Sequence, residues 1–263
     1  MITIDTYKEL EEYISAFNEK QLNLLIVVSK GGLGKTMLAE EILMHNGPLV
    51  FNGHVTPMGM YKELYQRNSE ESDFICVFDD VDSLMLNKTN VALLKQLCDT
   101  REEKTIKYFT TSPNIGDIPS EFVTRCKVLM LMNDIKTDDK NLNALLTRAH
   151  LINFNPPDSE IIDHLRSFSE DTEIIDFIET YSPISKNLNL RVYKRAEELK
   201  NADLDWKKET ISILGIDPDY VEVNTLLAKY KTDKERETHF SKSRPHYYRI
   251  KKALESKIKK QHA

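Results

Sequence analysis

The sequence predicts an α/β fold: a parallel sheet with helices on both faces, followed by an all-helical domain and a small helical C-terminal element. Three observations carry that prediction. Short apolar runs alternate with helical patterns between residues 22 and 154, the signature of a sheet covered on both faces. A Gly-rich turn joins the first of these runs to the helix that follows. Beyond Pro156 and Pro157 the apolar runs stop, and only helical periodicity remains.

The elements follow in order. Residues 1–20 read as a helix, with Thr6 as N-cap and Tyr7, Leu10, Tyr13, Ile14 and Phe17 at helical spacing. Residues 22–28 (LNLLIVV) form a buried strand, and 35–44 a helix. A second strand at 48–55, a helix at 58–67, a third strand at 74–78 (FICVF) and a helix at 90–100 continue the alternation. Residues 105–111 are strand-like, 127–132 (KVLMLM) form a stronger strand, 141–146 a short helix and 150–154 a last strand. Helices are expected at 158–169, 171–180, 188–200, 204–214 and 218–230. The expected organisation is an N-terminal helix (1–20), an α/β core (21–156), a helical domain (157–231) and a basic helical element (232–263).

Composition narrows the function. The 263 residues are 40% hydrophobic and 30% charged, enough for a large core under a soluble surface. No apolar run approaches the ~20 residues of a membrane helix. The N-terminus has no basic stretch followed by an apolar one, so no secretory signal is expected and a cytoplasmic location is. Cys76, Cys98 and Cys126 are far apart in apolar contexts, which predicts buried thiols and neither a zinc site nor a disulfide framework. The net charge of −6 is uneven. Residues 224–263 hold 12 Lys and Arg against 4 Asp and Glu, a net of +8; residues 1–223 hold 24 against 38, a net of −14. A basic tail on an acidic body points to contact with a polyanion.

Two motifs carry chemistry. Ser29, Lys30, Gly31, Gly32, Leu33, Gly34, Lys35 and Thr36 lie between a strand and a helix that continues with Met37. Glycines let backbone N–H groups wrap phosphates, and the helix N-terminus adds a positive dipole end. Lys35 reaches the β- and γ-phosphates, and Thr36 offers its hydroxyl to magnesium. This is the P-loop pattern, with Ser29 where the pattern usually starts with Gly. The second motif is the apolar run 74–78 followed by Asp79 and Asp80, which delivers two carboxylates at the C-terminal end of a strand. Asp79 suits magnesium, and Asp80 suits polarising an attacking water. The two motifs together imply a nucleoside triphosphate with Mg2+.

With these motifs, the strand–helix alternation and the helical domain behind them, residues 10–222 resemble the AAA+ ATPases. The resemblance implies an α/β core with a helical lid, a homo-oligomer with ATP between subunits, a polar sensor residue at a strand end, an arginine finger from a neighbour and a lid arginine on phosphate. Asn133, ending the strand 127–132, matches the first sensor, with Thr111 as rival; the strand near 105–111 then belongs to an inserted hairpin. Arg148, just before the last core strand, matches the finger. Arg125, in a Thr-Arg-Cys stretch similar to the clamp-loader Ser-Arg-Cys motif, competes with it. Arg191 matches the lid arginine, with Arg195 one turn later. The loop with Lys30 is also similar to that of partition-type (ParA/MinD-like) ATPases, a minor reading. The motifs do not separate ATP from GTP; ATP comes from the resemblance.

The basic segment reads as helix, short turn and second helix, similar to a helix-turn-helix reader of DNA. Its candidate contacts are Lys242, Ser243, Arg244, Tyr247, Tyr248, Arg249 and Lys252. The leading expectation is therefore a DNA-coupled ATPase of the replication-initiator or helicase-loader type. The alternatives are a protein-remodelling factor, or a slow ATP-gated switch, with a helicase or other client as protein partner. Asp80 in place of the more usual Glu suits slow turnover.

Overall fold

A computed structural model describes residues 1–80, 87–135 and 140–261. The chain forms two compact units, Met1–Pro156 and Pro157–Ala263.

The first unit is built on a six-stranded, all-parallel sheet. Its strands are β1 (Ile2–Ile4), β2 (Leu24–Val28), β3 (Leu49–Asn52), β4 (Ile75–Asp79), β7 (Lys127–Met132) and β8 (His150–Phe154), in the order β1-β8-β2-β7-β4-β3. β5 (Lys104–Lys107) and β6 (Glu121–Thr124) pair antiparallel in a separate two-stranded sheet. The helices are α1 (Tyr7–Asn18), α2 (Lys35–Leu43), α3 (Pro57–Glu70), α4 (Lys88–Leu97) and α5 (Lys140–Leu146).

Burial explains why the strands read as continuous apolar runs. All five residues of β2 are buried. Leu24, Ile26 and Val28 share a core with Met60 and Leu64 of α3 and Leu94 of α4, while Leu25 and Val27 point to the opposite face. Each such side chain stabilises the fold by about 1.5–3 kcal/mol. α1 starts at a capping box: Thr6 Oγ1 accepts from the Glu9 N–H, and the Glu9 carboxylate accepts from the Thr6 N–H. Its Tyr7, Leu10, Ile14 and Phe17 are buried on one face.

Two features differ from the sequence reading. Ile2–Ile4 is an edge strand paired parallel with β8, ahead of the expected helix; three residues are too few to show a period. The strand near 105–111 is shorter, ending at Lys107; its antiparallel pairing with β6 apart from the main sheet is the inserted hairpin the sequence predicts. The three cysteines are buried and free, and they share the core with the fully buried Lys104, whose Nζ donates to the Cys126 carbonyl. Burial pushes the Cys98 thiol up to about 12, and the Cys76 thiol rises for the same reason. Such thiols are unreactive.

The second unit is almost entirely helical: α6 (Asp158–Phe168), α7 (Thr172–Tyr181), α8 (Leu190–Asn201), α9 (Trp206–Ile213), α10 (Pro218–Lys229), α11 (Asp233–His239) and α12 (Arg244–Gln261). The last helix is part of this unit's core. Tyr247, Ile250 and Leu254 are buried, and α12 packs against α10 and the turn Ser182–Ile184. No helix among the described residues is long and apolar enough to cross a membrane.

Candidate nucleotide site

The sheet order decides what can meet at its C-terminal edge. β7 lies between β2 and β4, so the turn after β2, the acids ending β4 and the residue after β7 are neighbours. The loop leaving β2 is tied to β7, because the Ser29 N–H donates to the Met132 carbonyl at 3.1 Å. Gly32 (φ 83°) and Gly34 (φ 81°) are left-handed, a conformation that side chains disfavour, so the loop needs glycine there. Leu33 is buried beneath the loop. Gly34 is the N-cap of α2 and offers no side chain to its first turn, a helix N-terminus of the kind that suits an anion.

Lys35 is nearly buried. Its Nζ donates to the Ser29 carbonyl (2.9 Å), the Ser29 Oγ (2.8 Å), the Lys30 carbonyl (3.4 Å) and the Asn133 Oδ1 (3.4 Å). Thr36 Oγ1 donates to Asp79 Oδ2 at 2.9 Å. Asn133 Nδ2 donates to Asp80 Oδ1 at 3.2 Å. Asn133 therefore bridges the lysine and the second carboxylate. Asp80 sits at φ 55°, which turns the chain sharply after β4.

These five side chains divide into two groups. Thr36 and Asp79 present a hydroxyl and a carboxylate side by side, an oxygen pair that suits Mg2+, which keeps waters and takes phosphate oxygens as further ligands. Lys35, Asn133 and Asp80 form a chain of cation, amide and carboxylate at the C-terminal edge of the sheet. Lys30, Gly31 and Met37 are exposed along the loop and the start of α2.

Two neighbours escaped the sequence reading. Ser29 replaces the usual glycine, and its hydroxyl and carbonyl both hold Lys35. Asn52 ends β3 in register with Asp79, and with Thr36, Glu40 and Asp79 it lines a small cavity of about 40 Å³. Ser29 was visible as a departure from pattern. Asn52 had no signal, because its position depends on strand register.

Thr111 is exposed beyond β5, outside the main sheet. Arg148 precedes β8 and donates to the Lys95 carbonyl at 3.2 Å; Arg125 precedes β7 and pairs with Glu103 at 2.7 Å. Both are exposed. Both lie where parallel strands begin, a strand length of about 17–20 Å from the edge that carries Lys35. Arg191 is exposed in the first turn of α8, in the second unit, where Asn189 caps its N–H at 3.0 Å.

Several cations of the basic segment are met by acids of the same unit. Lys242 pairs with Asp219 at 2.6 Å, which His246 also contacts at 2.6 Å. Arg244 pairs with Glu237 at 3.0 Å, and Tyr248 donates to the same carboxylate. Arg249 meets the His246 Nδ1 at 2.8 Å. Tyr247 is fully buried and donates to Asp233 at 3.0 Å. Lys251 and Arg236 hold the Asp233 carboxyl down at about 2, below the usual carboxylate range. Ser243 and Lys252 are exposed.

No protein-family model matches this sequence, and no curated relative does either. Solved structures are similar at the level of fold. The Aeropyrum pernix ORC1 protein, solved in complex with DNA, is 10% identical with a TM-score of 0.50, over 87% of this chain and 69% of that one. A chain of the HORMA:CdnC:Trip13 complex of E. coli MS115-1 is 14% identical with a TM-score of 0.46, over 79% and 84%. C. elegans PCH-2 is 17% identical with a TM-score of 0.47, over 78% and 65%. The chain thus shares its fold with the Aeropyrum pernix ORC1 protein, a parallel α/β unit followed by a helical one.

Proposed function

We propose that this chain is an AAA+ ATPase that binds Mg·ATP, hydrolyses it slowly as a homo-oligomer and couples its nucleotide state to a protein partner. The observation that carries the reading is the convergence of Lys35, Thr36, Asp79, Asp80 and Asn133 at one sheet edge. Lys35 and the N-terminus of α2 bind phosphate. Thr36 and Asp79 hold Mg2+, which neutralises charge on the phosphates when bound. Asp80 orients water and accepts its proton, and Asn133 fixes Asp80. The aspartate is one methylene shorter than glutamate, which supports slow turnover.

The position of Arg148 and Arg125 supports the oligomer. Each lies just before a strand, at the edge opposite Lys35, so an arginine acting on phosphate comes from another copy. The pairing of Lys242 and Arg244 with acids of the helical unit favours a protein partner over DNA. DNA coupling of the replication-initiator or helicase-loader type is the second reading, favoured by the exposed stripe of Arg244, Tyr248, Arg249 and Lys252 on α12.

The test is phosphate release by the wild type and by Lys35→Ala, with and without duplex DNA, alongside mass by light scattering with and without ATP. Hydrolysis that needs Lys35, rises with assembly and ignores DNA supports the main reading. Stimulation by DNA at low salt, lost when 244–252 is neutralised, selects the second. Hydrolysis unchanged by Lys35→Ala defeats both.

A further inference from the structure

The edge strand β3 leaves part of the first unit's sheet open. β3 ends the strand order, so among the described residues its outer edge pairs with no strand. Leu49 and Phe51 face the core that α3 covers, and Val50 and Asn52 face the other way, where Val50 is 47% exposed. On that side the small cavity beside Thr36 forms a groove between β3 and α2. Leu43, Val50, Val77 and Leu131 give it apolar walls, and Glu40, Asn52 and Asp79 give it polar ones. No lysine, arginine or histidine lines it. Among the described residues, the Glu40 carboxylate and the Asn52 amide have neither a hydrogen-bond partner nor an ion partner.

An open strand edge beside an exposed apolar side chain is a template for one more strand. The lining fixes what that strand carries. A residue facing Val50 is apolar. The residue two places on shares its face and meets Asn52, Glu40 and Asp79. With two carboxylates and no base in the groove, that residue is a lysine or arginine: its aliphatic stem lies on the apolar walls and its charge reaches Glu40. The chain's other edge strand, β1, does not offer this pattern. Ile2 and Ile4 share one of its faces, and Thr3 and Asp5 the other. The charge therefore favours a different protein over a second copy joined edge to edge.

We infer that β3 and this groove dock an extended segment of a protein partner that carries an apolar residue and, two places on, a lysine or arginine. This rests on the proposed coupling to a protein partner and names that partner's chemistry. The base comes to lie beside Asp79, the proposed Mg2+ ligand, and like charges repel. Docking and Mg·ATP binding therefore weaken each other, and by the same factor in both directions.

The experiment applies the full chain to an array of pentapeptides Thr-X-Thr-Z-Thr, with X and Z varied over all residue types. An apolar residue at one variable position with lysine or arginine at the other is expected to be selected; any other preference, or none, overturns the inference. Affinity for the Thr-Val-Thr-Arg-Thr peptide is then measured by fluorescence anisotropy for the wild type, Glu40→Gln and Val50→Lys, with circular dichroism verifying that each is folded. Glu40→Gln is expected to weaken binding about fivefold, the upper end for an exposed ion pair, and an unchanged affinity overturns the inference. Saturating Mg·ATP is expected to weaken the wild type's binding roughly tenfold. Binding indifferent to Mg·ATP overturns the coupling. An assembly of the wild type that Val50→Lys breaks, seen by light scattering, gives the groove to a second copy and overturns the partner. Hydrolysis lost in Lys35→Ala with no peptide preference removes the groove and leaves the ATPase reading standing. Hydrolysis indifferent to Lys35→Ala with the preference intact removes the ATPase reading and leaves the groove.

Discussion

The two units use charge in opposite ways. At the sheet edge of the first, polar side chains hold one another in a short relay: Ser29 to Lys35, Lys35 to Asn133, Asn133 to Asp80, Thr36 to Asp79. Every link is a contact that an anion or a cation can take over. In the second unit some of the charges are committed to the fold. Asp219 meets Lys242 and His246, and Asp233 meets Arg236 and Lys251, so part of the basic segment is held by acids of its own unit. The lesson is that a charge count locates an electrostatic feature, and pairing decides whether a ligand can use it.

The largest test of this contrast is at the relay. Lys35→Ala is expected to lower ATP turnover by roughly 100- to 1,000-fold, the loss typical of removing a group that stabilises transition-state charge. Asp80→Asn is expected to lower turnover by about 100-fold while leaving nucleotide affinity within a few-fold, checked with a fluorescent ATP analogue. A parallel loss of affinity would show that Asp80 shapes the loop and takes no part in the chemistry.

Next in size is the core of the second unit. Tyr247→Ala is expected to destabilise that unit by about 3–5 kcal/mol, as truncation of a buried aromatic does, read by urea unfolding. Trp206 is the chain's one tryptophan and lies in this unit, so its fluorescence reports there. A loss below 1 kcal/mol would mean that α12 is an appendage after all.

The smallest effect expected is on acid stability. Lys251 first, and Arg236 next, hold the Asp233 carboxyl at about 2. An unfolded aspartate titrates near 3.9. The pair therefore contributes fully above about pH 4, and its contribution fades as pH falls from there through about 2. Lys251→Met is expected to move the acid midpoint of Trp206 fluorescence upward. An unmoved midpoint would place the acid-labile contacts elsewhere in the unit.

The parts legible in the sequence share one property: their cause is local. Gly32 and Gly34 were visible because a left-handed loop can be met only by a few residue types, and Asp79–Asp80 because a buried strand must end where polarity begins. The parallel sheet followed from the runs at β2, β4 and β7. β1 was hidden, since Ile2–Ile4 is recognisable only once β8 lies beside it. Asn52 was hidden for the same reason, its role being set by register with Asp79. The basic segment was legible as charge, but its pairing with Asp219 and Glu237 depends on how three helices pack.

Asp80 adds a consequence for anyone seeking sturdier versions of this protein. Its left-handed backbone is tolerated by aspartate and welcomed by glycine, so Asp80→Gly relieves strain as it removes a carboxylate. A screen that selects for melting temperature alone is expected to enrich that substitution and, on the proposed role of Asp80, to return proteins that are harder to unfold and slower to turn over.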